Sequence, residues 1–283
     1  MLLNLECSKG GFVLRQTFKV RAKENSKLIQ LVMDKSGLSP EDAKGLVEMG
    51  AVWSLDSKMA HRSRLRDSQS TILAGNSVGI FLDQKLLKAF QGEGQGAVSG
   101  LGEPFLVSKQ PSFEVWFKPS GWVSEGSPYG DHLSIERFAS KKNREAHAVN
   151  RLDREVAGLM IVTFDGKSFA GLQKNWGHWQ KIYQAEVLGQ LELQIIELPL
   201  DGKDAKTKVI SQRSLGHTSQ VELELVTGRF HQIRRHLEGV GHPVMGDPKY
   251  GRGNKDSRGL MLRCIKLVFQ DLVFEVPSTD RLF

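Results

Sequence analysis

Hydrophobic and polar positions alternate with a period of two in several stretches of the second half of the chain. The clearest run is 221–226, and 181–187 has the same pattern, which is typical of a half-buried strand. Residues 159–163 form a short apolar run rich in branched side chains and predict a buried strand. Further strands are predicted at 113–117, 267–269 and 272–276.

Apolar positions repeat with a helical period in other stretches. The first predicted helix has its N-cap at Asn25 or Ser26 and ends at Gly37, and its apolar positions are Leu28, Ile29, Val32 and Met33. The second has its N-cap at Ser39 and ends at Gly50, and its apolar positions are Ala43, Leu46 and Val47. The third ends at Gly239 and Gly241, and its apolar positions are Phe230, Ile233, Leu237 and Val240. Residues 167–176 predict one more helix. Strands predominate and helices occur at intervals, which favours an α+β fold with a mixed or antiparallel sheet flanked by helices.

A loss of pattern divides the chain into two parts. Residues 1–84, with helices and predicted strands at 51–55 and 78–82, predict a small α+β domain. Residues 85–111 contain many glycines and predict a linker, and 112–283 predict the larger domain. Two short helices and a hairpin with basic residues between its strands (His61, Arg62, Arg64 and Arg66) resemble the S4-type RNA-binding module. A small adaptor domain with a solvated basic loop explains the same pattern equally well.

Composition limits the classes of partner. The net charge of +7 favours a polyanion, either nucleic acid or an anionic membrane surface. No apolar stretch is long enough to span a bilayer, and residues 1–6 do not form a signal peptide. Cys7 and Cys264 lack metal-ligand spacing and predict free thiols in a reducing compartment. We therefore expect a cytoplasmic monomer.

The stretch 150–158 combines charges that suggest chemistry. Asp153 lies between Arg151 and Arg154, directly before the predicted buried strand at 159–163. Positive charge on both sides favours the ionised form of a carboxylate. Asp153 is therefore a candidate nucleophile or base beside cations suited to phosphate. A structural salt bridge in a loop is the alternative explanation.

Histidines in the last third do not predict a metal site. His231 and His236 are five positions apart, so on a helix they would point about 140° from each other. A helical zinc pair uses a spacing of four. We expect no metal.

Three ordered blocks stand out in the second part of the chain. They are an Arg-Leu-Asp loop at 151–153, a Lys-x-Tyr strand at 181–183, and Thr-Gly-Arg-Phe-His-Gln-Ile-Arg at 227–234 followed by Gly-His-Pro…Gly-Asp…Tyr-Gly at 241–251. In order and spacing, these blocks resemble the pseudouridine synthases of the RluA type. The turn Lys118-Pro119-x-Gly121 matches the opening of the family, and 259–262 is a looser match. The resemblance covers about residues 112–277.

The resemblance implies roles for particular residues. Asp153 is the carboxylate that acts at the ribose of a uridine, either by attack or by taking a proton from C2′. Arg229 is the cation that pairs with it, and Tyr183 stacks on the base, where its hydroxyl is expected to assist proton removal from C5. Arg151 fills the space that a flipped-out uridine leaves.

The resemblance further implies an RNA surface. We expect RNA contacts from Arg154 and Lys118, and either RNA contacts or support of the active site from His231, Gln232 and Arg234, with a phosphate at the first turn of the helix predicted from Phe230. Asp247 is expected to be structural. The partner is structured RNA, either ribosomal RNA or tRNA, and no metal or organic cofactor is implied.

The sequence departs from the family pattern inside the first block. The usual His before Arg-Leu-Asp is Asn150, and the usual Thr-Ser before Gly158 is Val156-Ala157. Because two hydroxyls are lost, the loop is held by packing or is less ordered without RNA. The departures leave an alternative open, in which the protein binds RNA on this scaffold and is catalytically impaired.

Overall fold

The computed structural model describes residues 2–8, 11–55, 63–92, 102–140, 144–251 and 253–277. The chain folds into two compact units. The first comprises Met1–Gly100 together with Glu125–Phe138, and the second comprises Leu101–Ser124 together with Ala139–Phe283. The first unit thus contains a short segment from the middle of the chain.

The first unit combines a small sheet with short helices. Its elements are β1 (Leu2–Ser8), β2 (Gly11–Arg21), β3 (Ser26–Lys27), α1 (Leu28–Ser36), α2 (Pro40–Glu48), β4 (Val52–Ser54), β5 (Thr71–Ile72), β6 (Ser77–Asp83), α3 (Gln84–Gly92) and, at the end of the segment Glu125–Phe138, α4 (Ile135–Ala139). The sheet has the order β1-β2-β6-β4, and β4 and β6 are the two strands predicted at 51–55 and 78–82. The apolar faces of α1 and α2 are buried in one core, as the helical pattern predicts.

The helix ends in this unit follow the sequence with one exception. Ser39 accepts a hydrogen bond from the Asp42 backbone N–H, and Gly37 ends α1 with φ of 69°. The N-cap of α1 is Lys27, which provides no side-chain cap, so the prediction of Asn25 or Ser26 is wrong. Asn25 instead accepts a hydrogen bond from the Ala74 backbone N–H at 2.9 Å, which stabilises a neighbouring turn.

The basic residues of the S4-like resemblance have partners inside the first unit. Nε of Arg64 lies 3.2 Å from a carboxylate oxygen of Asp131, and Arg66 donates to the same carboxylate. His61 and Arg62 lie outside the described residues. The S4-like RNA-binding module stays a prediction.

The linker prediction for 85–111 is wrong at both ends. Residues Gln84–Gly92 form α3, and Phe105–Lys109 form a strand of the second unit. Leu87 is buried in the core of the first unit, which explains why this stretch is helical although its apolar positions are few. The two compact units divide between Gly100 and Leu101, so the predicted boundaries at 84 and 112 do not coincide with them.

The second unit is built on one large sheet. Its elements are β7 (Phe105–Lys109), β8 (Glu114–Lys118), β9 (His147–Ala148), β10 (Ala157–Thr163), α5 (Gly166–Asn175), a 3-10 turn (Trp176–His178), β11 (Gln180–Leu188), β12 (Ile195–Ile196), β13 (Thr207–Ser214), β14 (Thr218–Leu225), α6 (Gln232–Gly239), β15 (Leu262–Phe269) and β16 (Leu272–Glu275). Every strand predicted from residue 113 onward is present, so the α+β prediction with a mixed sheet is confirmed.

The sheet contains ten strands among the described residues, in the order β12-β13-β14-β11-β15-β10-β8-β7, with β16 on β15 and β9 on β10. The pairing of β10 with β15 is parallel, and the other pairings in this sheet are antiparallel. At the start of the parallel pair the backbones come so close that a Cβ on Gly158 would lie 2.4 Å from Cys264 backbone atoms. Gly158, with φ of 131°, therefore allows β10 to begin directly after the Asp153 loop.

Helix α6 begins later than the sequence pattern predicts. Gln232 is its first residue, so Phe230 precedes the helix and is 65% exposed. Ile233 and Leu237 are buried as expected. The reason for the late start is His231, whose φ of 53° lies in the left-handed region and interrupts the helical backbone.

Within the described residues, no helix is long and apolar enough to cross a membrane. Trp179 is 2% exposed and stacks on Phe269 with ring centroids 5.0 Å apart. Packing is therefore its role in this fold.

Candidate active site

Two hydrogen-bonded clamps fix the loop that carries Asp153. The hydroxyl of Ser124 donates to the Leu152 carbonyl at 2.9 Å and accepts from the Leu152 backbone N–H at 2.8 Å. The Asn150 amide donates to the Leu159 carbonyl at 3.2 Å and accepts from the Ile161 backbone N–H at 2.8 Å. The residue directly before Asp153 and the strand directly after the loop are therefore both tied to buried side chains.

The clamps explain how the loop tolerates its departures from the family pattern. Asn150 is buried and bonds to two backbone groups of β10, and Val156 is 3% exposed. Burial of the branched Val156 side chain stabilises the loop. This stabilisation replaces the hydrogen bonds that the hydroxyls of the usual Thr-Ser pair could have made. Hydrogen bonds from Ser124 and Asn150 and the packing of Val156 therefore hold this loop together.

Lys118 is buried beneath this loop. Its ammonium donates to the carbonyls of Trp122 at 2.7 Å, Pro119 at 3.2 Å and Arg154 at 3.3 Å, and the residue is fully buried. Burial lowers the pKa of Lys118 to about 7, against the opposing effect of the nearby Asp153 and Glu155 charges. The prediction that Lys118 contacts RNA is wrong, because its amine joins the turn after β8 to the Asp153 loop from inside the protein.

Replacement of Lys118 by methionine should change how stability depends on pH. The folded-state pKa of about 7 lies below the ordinary value of 10.5, so the unfolded chain binds more protons than the folded chain between these values. The Lys118 contribution therefore makes the free energy of unfolding rise with pH across that window. From about pH 7 to pH 9 the wild-type protein should gain up to about 1.4 kcal/mol per pH unit relative to the variant, measured by urea denaturation.

The control for this experiment is Lys174→Met. Lys174 is exposed in the last turn of α5, so its removal should leave a pH profile parallel to that of the wild type. Parallel profiles for the wild type and Lys118→Met would show that the buried amine does not titrate near neutral pH.

Arg234 is the cation that reaches Asp153. Its Nη1 donates to Asp153 Oδ2 at 2.9 Å, while Nε and Nη2 donate to the two oxygens of Asp247 at 2.7 and 2.8 Å. Arg234 is 2% exposed. Burial acts to lower its pKa, but hydrogen bonds to Asp247 and Asp153 outweigh burial, and the pKa of Arg234 is raised. The guanidinium is therefore charged and rigidly placed.

Asp247 serves as the anchor for this guanidinium. Its side chain also accepts hydrogen bonds from the backbone N–H groups of Lys249 at 2.8 Å and Tyr250 at 2.9 Å. Burial acts to raise the pKa of Asp247, and the bonds from Arg234 and the two backbone groups lower it overall. A bidentate pair of this kind fixes the plane of the guanidinium and leaves its remaining edge for Asp153. Asp247 is structural, as the sequence predicts.

The predicted pairing of Arg229 with Asp153 is wrong. Arg229 donates its Nε to the Asp204 carbonyl at 3.0 Å. Its backbone N–H donates to the Gln232 side chain at 3.0 Å, which fixes the turn into α6. Because α6 starts at Gln232, position 234 lies in its first turn, and the helix directs that side chain into the site.

Gln232 is a structural residue of the same turn. Its amide donates to the Lys206 carbonyl at 2.9 Å, and its oxygen accepts from the Thr227 hydroxyl at 2.7 Å. The residue is 3% exposed. All of its hydrogen-bonding capacity in this region goes to protein atoms, so the prediction of an RNA contact is wrong for Gln232.

His231 lies between the site and the surface. Its Nδ1 is 3.1 Å from the Tyr250 hydroxyl, and its Nε2 is 3.5 Å from Asp153 Oδ2. Burial lowers the pKa of His231 despite the opposing effect of Asp153. The imidazole is therefore neutral at pH 7, and Arg234 supplies the positive charge beside Asp153.

Tyr183 occupies the neighbouring strand β11 and is 8% exposed. Burial raises the pKa of Tyr183, and the contact with Cys264 and the charge of Asp153 raise it further. Its hydroxyl thus stays protonated.

Arg151 and Arg154 are exposed on the loop that carries Asp153, and Arg154 Nε donates to the Gly121 carbonyl at 3.1 Å. The structure brings Asp153, Tyr183, His231 and Arg234 together.

A cavity of about 160 Å³ lies beside the loop. It is lined by Ser120, Ala157, Arg258, Leu260, Met261, Leu262 and Arg263. Successive side chains of a strand point to opposite faces of the sheet, so Arg263 lies on the face opposite to Cys264 and Tyr183.

Within the described residues, no cluster of three or more His, Cys, Asp or Glu side chains forms that would suit a metal ion.

Comparison with known proteins shows which family and fold this chain resembles. Residues 112–239 match the family described as RNA pseudouridylate synthase. A solved human structure, RNA Pseudouridylate Synthase Domain Containing 4, has the same fold with a TM-score of 0.50 over 66% of this chain and 92% of that chain, at 20% identity.

Individual relatives define the type within that class. The dual-specificity RNA pseudouridine synthase RluA of Vibrio vulnificus is 31% identical, covering 48% of this chain and 65% of that protein. Ribosomal large subunit pseudouridine synthase C of Yersinia pestis is 30% identical, covering 57% of this chain and 58% of that protein. The chain thus spans less than two thirds of the length of these relatives. Residues 112–239 of this chain are therefore similar to the RNA pseudouridylate synthase family, and one of these relatives is itself named RluA.

Proposed function

We propose that this protein is an RNA pseudouridine synthase that isomerises specific uridines in structured RNA, with Asp153 as the catalytic carboxylate. The observation that carries the proposal is the chain of contacts from Asp247 through Arg234 to Asp153. A buried, charged guanidinium holds a carboxylate that is itself partly accessible, with a side-chain exposure of 25%. This accessibility, beside a loop with exposed arginines, supports a functional role for Asp153.

The reaction requires a carboxylate of this kind. Isomerisation breaks the N1–C1′ bond of uridine, turns the uracil, and joins C5 to C1′; the proton on C5 is then lost and N1 gains one. Asp153 acts at the ribose in its charged form, either by attack on C1′ or by taking a proton from C2′. Both routes benefit from Arg234, whose hydrogen bond to Oδ2 orients the Asp153 carboxylate.

The neighbouring rings are proposed to hold the uridine. Tyr183 offers its ring to the base, and its protonated hydroxyl suits a hydrogen-bond donor rather than a base. His231, neutral at pH 7, is near enough to Asp153 to exchange a hydrogen bond with it when the site tightens on RNA. No step in this scheme requires a metal or an organic cofactor.

RNA is proposed to bind along the loop that carries Asp153. A uridine inside a helical stack cannot reach a carboxylate on the protein surface, so the nucleotide must flip out, at a cost of a few kcal/mol. Arg151 and Arg154 are exposed on both sides of Asp153, where guanidinium groups can stack on bases or contact phosphates. The names of two kinds of relative make large-subunit ribosomal RNA the first substrate to examine, and tRNA is the other structured RNA that we propose to test.

A catalytically impaired RNA-binding protein on the same scaffold is less well supported. That alternative rests on Asn150, Val156 and Ala157. Asn150 clamps β10 and Val156 packs in the core, so these residues support the loop that carries Asp153. The hydrogen bond from Arg234 to Asp153 is also present, and a protein that only binds RNA does not require it.

Tritium release from [5-³H]uridine-labelled RNA tests the proposed function directly, because only loss of the C5 hydrogen frees the label. The purified full-length protein should release tritium from ribosomal RNA or tRNA transcripts, and each released tritium should correspond to one new pseudouridine. Tight binding of these RNAs without any release would favour the non-catalytic alternative.

A further inference from the structure

Phe230 is the most exposed large apolar side chain among the described residues, at 65%. It comes directly after Arg229 and directly before His231 at the entrance to α6. Single exposed apolar residues are common on protein surfaces and need no explanation by themselves. Phe230 differs because a neighbouring ring supports its ring and a lysine ammonium lies close to it.

The ring of Phe230 is supported from one side by His231. The two ring centroids lie 3.7 Å apart at an interplanar angle of 21°, so the rings are stacked. His231 is itself held by the Tyr250 hydroxyl and by a left-handed backbone with φ of 53°. Such a conformation costs free energy in a residue other than glycine and is kept where the surrounding structure enforces it. The backing of the Phe230 ring is therefore rigid.

The same imidazole connects the exposed ring to Asp153. His231 Nε2 is 3.5 Å from Asp153 Oδ2, while the face of its ring is covered by Phe230. The exposed ring is thus one side chain away from the proposed catalytic carboxylate. A nucleotide next to a uridine bound at Asp153 would be within reach of Phe230.

Positive charge lies beside the ring. The ammonium of Lys249 is 5.5 Å from the centroid of Phe230 and 5.2 Å from that of Tyr250. An aromatic platform flanked by a cation is the usual arrangement for an unpaired nucleotide, in which the base stacks on the ring and the phosphate meets the cation. A peptide or lipid partner would require a broader apolar surface than one phenylalanine provides.

We propose that Phe230 is a binding subsite for one unpaired nucleobase of the RNA substrate, adjacent to the target uridine, with Lys249 beside the phosphate of that nucleotide. The subsite rests on the proposed function for the identity of the RNA. It selects RNA in which the neighbour of the uridine is unpaired or easily unstacked, such as a loop. It acts on substrate affinity and not on the chemical step.

Binding measurements on the full-length protein test this subsite. The probe is a fluorescein-labelled stem–loop RNA with one uridine in an adenosine loop. Its binding to the protein is measured by fluorescence anisotropy. Phe230→Ala should bind it roughly 5- to 150-fold more weakly, because it loses one base-stacking contact. Phe230→Trp should bind at least as well as the wild type, since a larger ring restores the platform.

A matched control is Val273→Ala. Val273 is 52% exposed on β16, which pairs with the part of β15 remote from Cys264. Its removal should leave the dissociation constant unchanged. Melting temperatures of all variants should stay within about 2 °C of the wild type, since an exposed side chain contributes little to stability.

Abasic substitutions in the RNA identify the contact. Removal of one adenine beside the uridine should weaken binding by the wild-type protein and have no further effect on Phe230→Ala. Binding by Phe230→Ala within twofold of the wild type, or an equal abasic effect on both proteins, would overturn the subsite. Because the assay records affinity alone, it tests the role of Phe230 in RNA binding even if the wild type releases no tritium. Conversely, a result that overturns the subsite leaves the test of the proposed function by tritium release unaffected.

Discussion

Replacement of Asp153 by asparagine should reduce the single-turnover rate of tritium release at least about 1,000-fold. Asparagine has nearly the same shape, but it carries no negative charge and is neither a nucleophile toward C1′ nor a base toward C2′. Loss of a group that takes part in the bond changes typically costs several orders of magnitude. The measurement uses saturating protein and [5-³H]uridine-labelled RNA, so the rate reports chemistry and not binding.

The control for this variant is Asp201→Asn. Asp201 is exposed, pairs with Arg235 at 2.8 Å, and has a left-handed φ of 54° that asparagine tolerates well. Its replacement should leave the rate unchanged. RNA affinity of Asp153→Asn should stay within a few-fold of the wild type. A rate for Asp153→Asn equal to that of the wild type would remove Asp153 from the mechanism.

Replacement of Arg234 by alanine should damage both stability and activity. It would leave the fully buried side chain of Asp247 and the partly buried Asp153 without their shared cation. Removal of one partner from a buried ion pair typically costs about 3–5 kcal/mol. Urea denaturation should show a loss of this size, and tritium release should fall to the level of Asp153→Asn even in the fraction that stays folded.

Two neighbouring arginines provide the comparison for Arg234→Ala. Arg229→Ala removes a bond to one backbone carbonyl, and Arg235→Ala removes an exposed pair with Asp201. The exposed pair is worth about 1 kcal/mol or less. If Arg229→Ala lowered the reaction rate more than Arg234→Ala, the arginine predicted from the sequence would be restored as the partner of Asp153.

The strands of the second unit could be predicted because each has a simple physical pattern. Residues 221–226 alternate polar and apolar side chains, and β14 shows the matching alternation of buried and half-exposed positions. The run 159–163 is apolar throughout, and β10 is buried from Gly158 to Thr163. The burial in β14 follows the strand period of two, whereas the uninterrupted burial of β10 follows from an apolar run that is covered on both faces of the sheet.

The identity of the arginine beside Asp153 could not be predicted in this way. The resemblance to the family implied Arg229, the residue directly before the helix that the apolar pattern predicts from Phe230. His231 adopts a left-handed backbone, so the helix begins at Gln232 and directs position 234 to Asp153. A positive φ at a residue other than glycine has no clear sequence signature, and helix boundaries are the features that sequence patterns define least.

The burial of Lys118 was also outside what the sequence could indicate. A lysine in a Lys-Pro-x-Gly turn reads as a surface cation, and lysine is almost never fully buried unless it is paired. Here the three carbonyl groups that accept its protons come from two loops that are distant in the chain. Only the closure of the Asp153 loop over β8 brings them together.

Site-resolved pseudouridine mapping in cells that lack the gene tests the central claim most directly. The cells are complemented with the wild-type protein or with Asp153→Asn, expressed at equal levels. The account predicts that one or more pseudouridines in ribosomal RNA or tRNA disappear with the gene, return with the wild type and stay absent with Asp153→Asn. An unchanged set of pseudouridines in cells lacking the gene, or their return with Asp153→Asn, would contradict it.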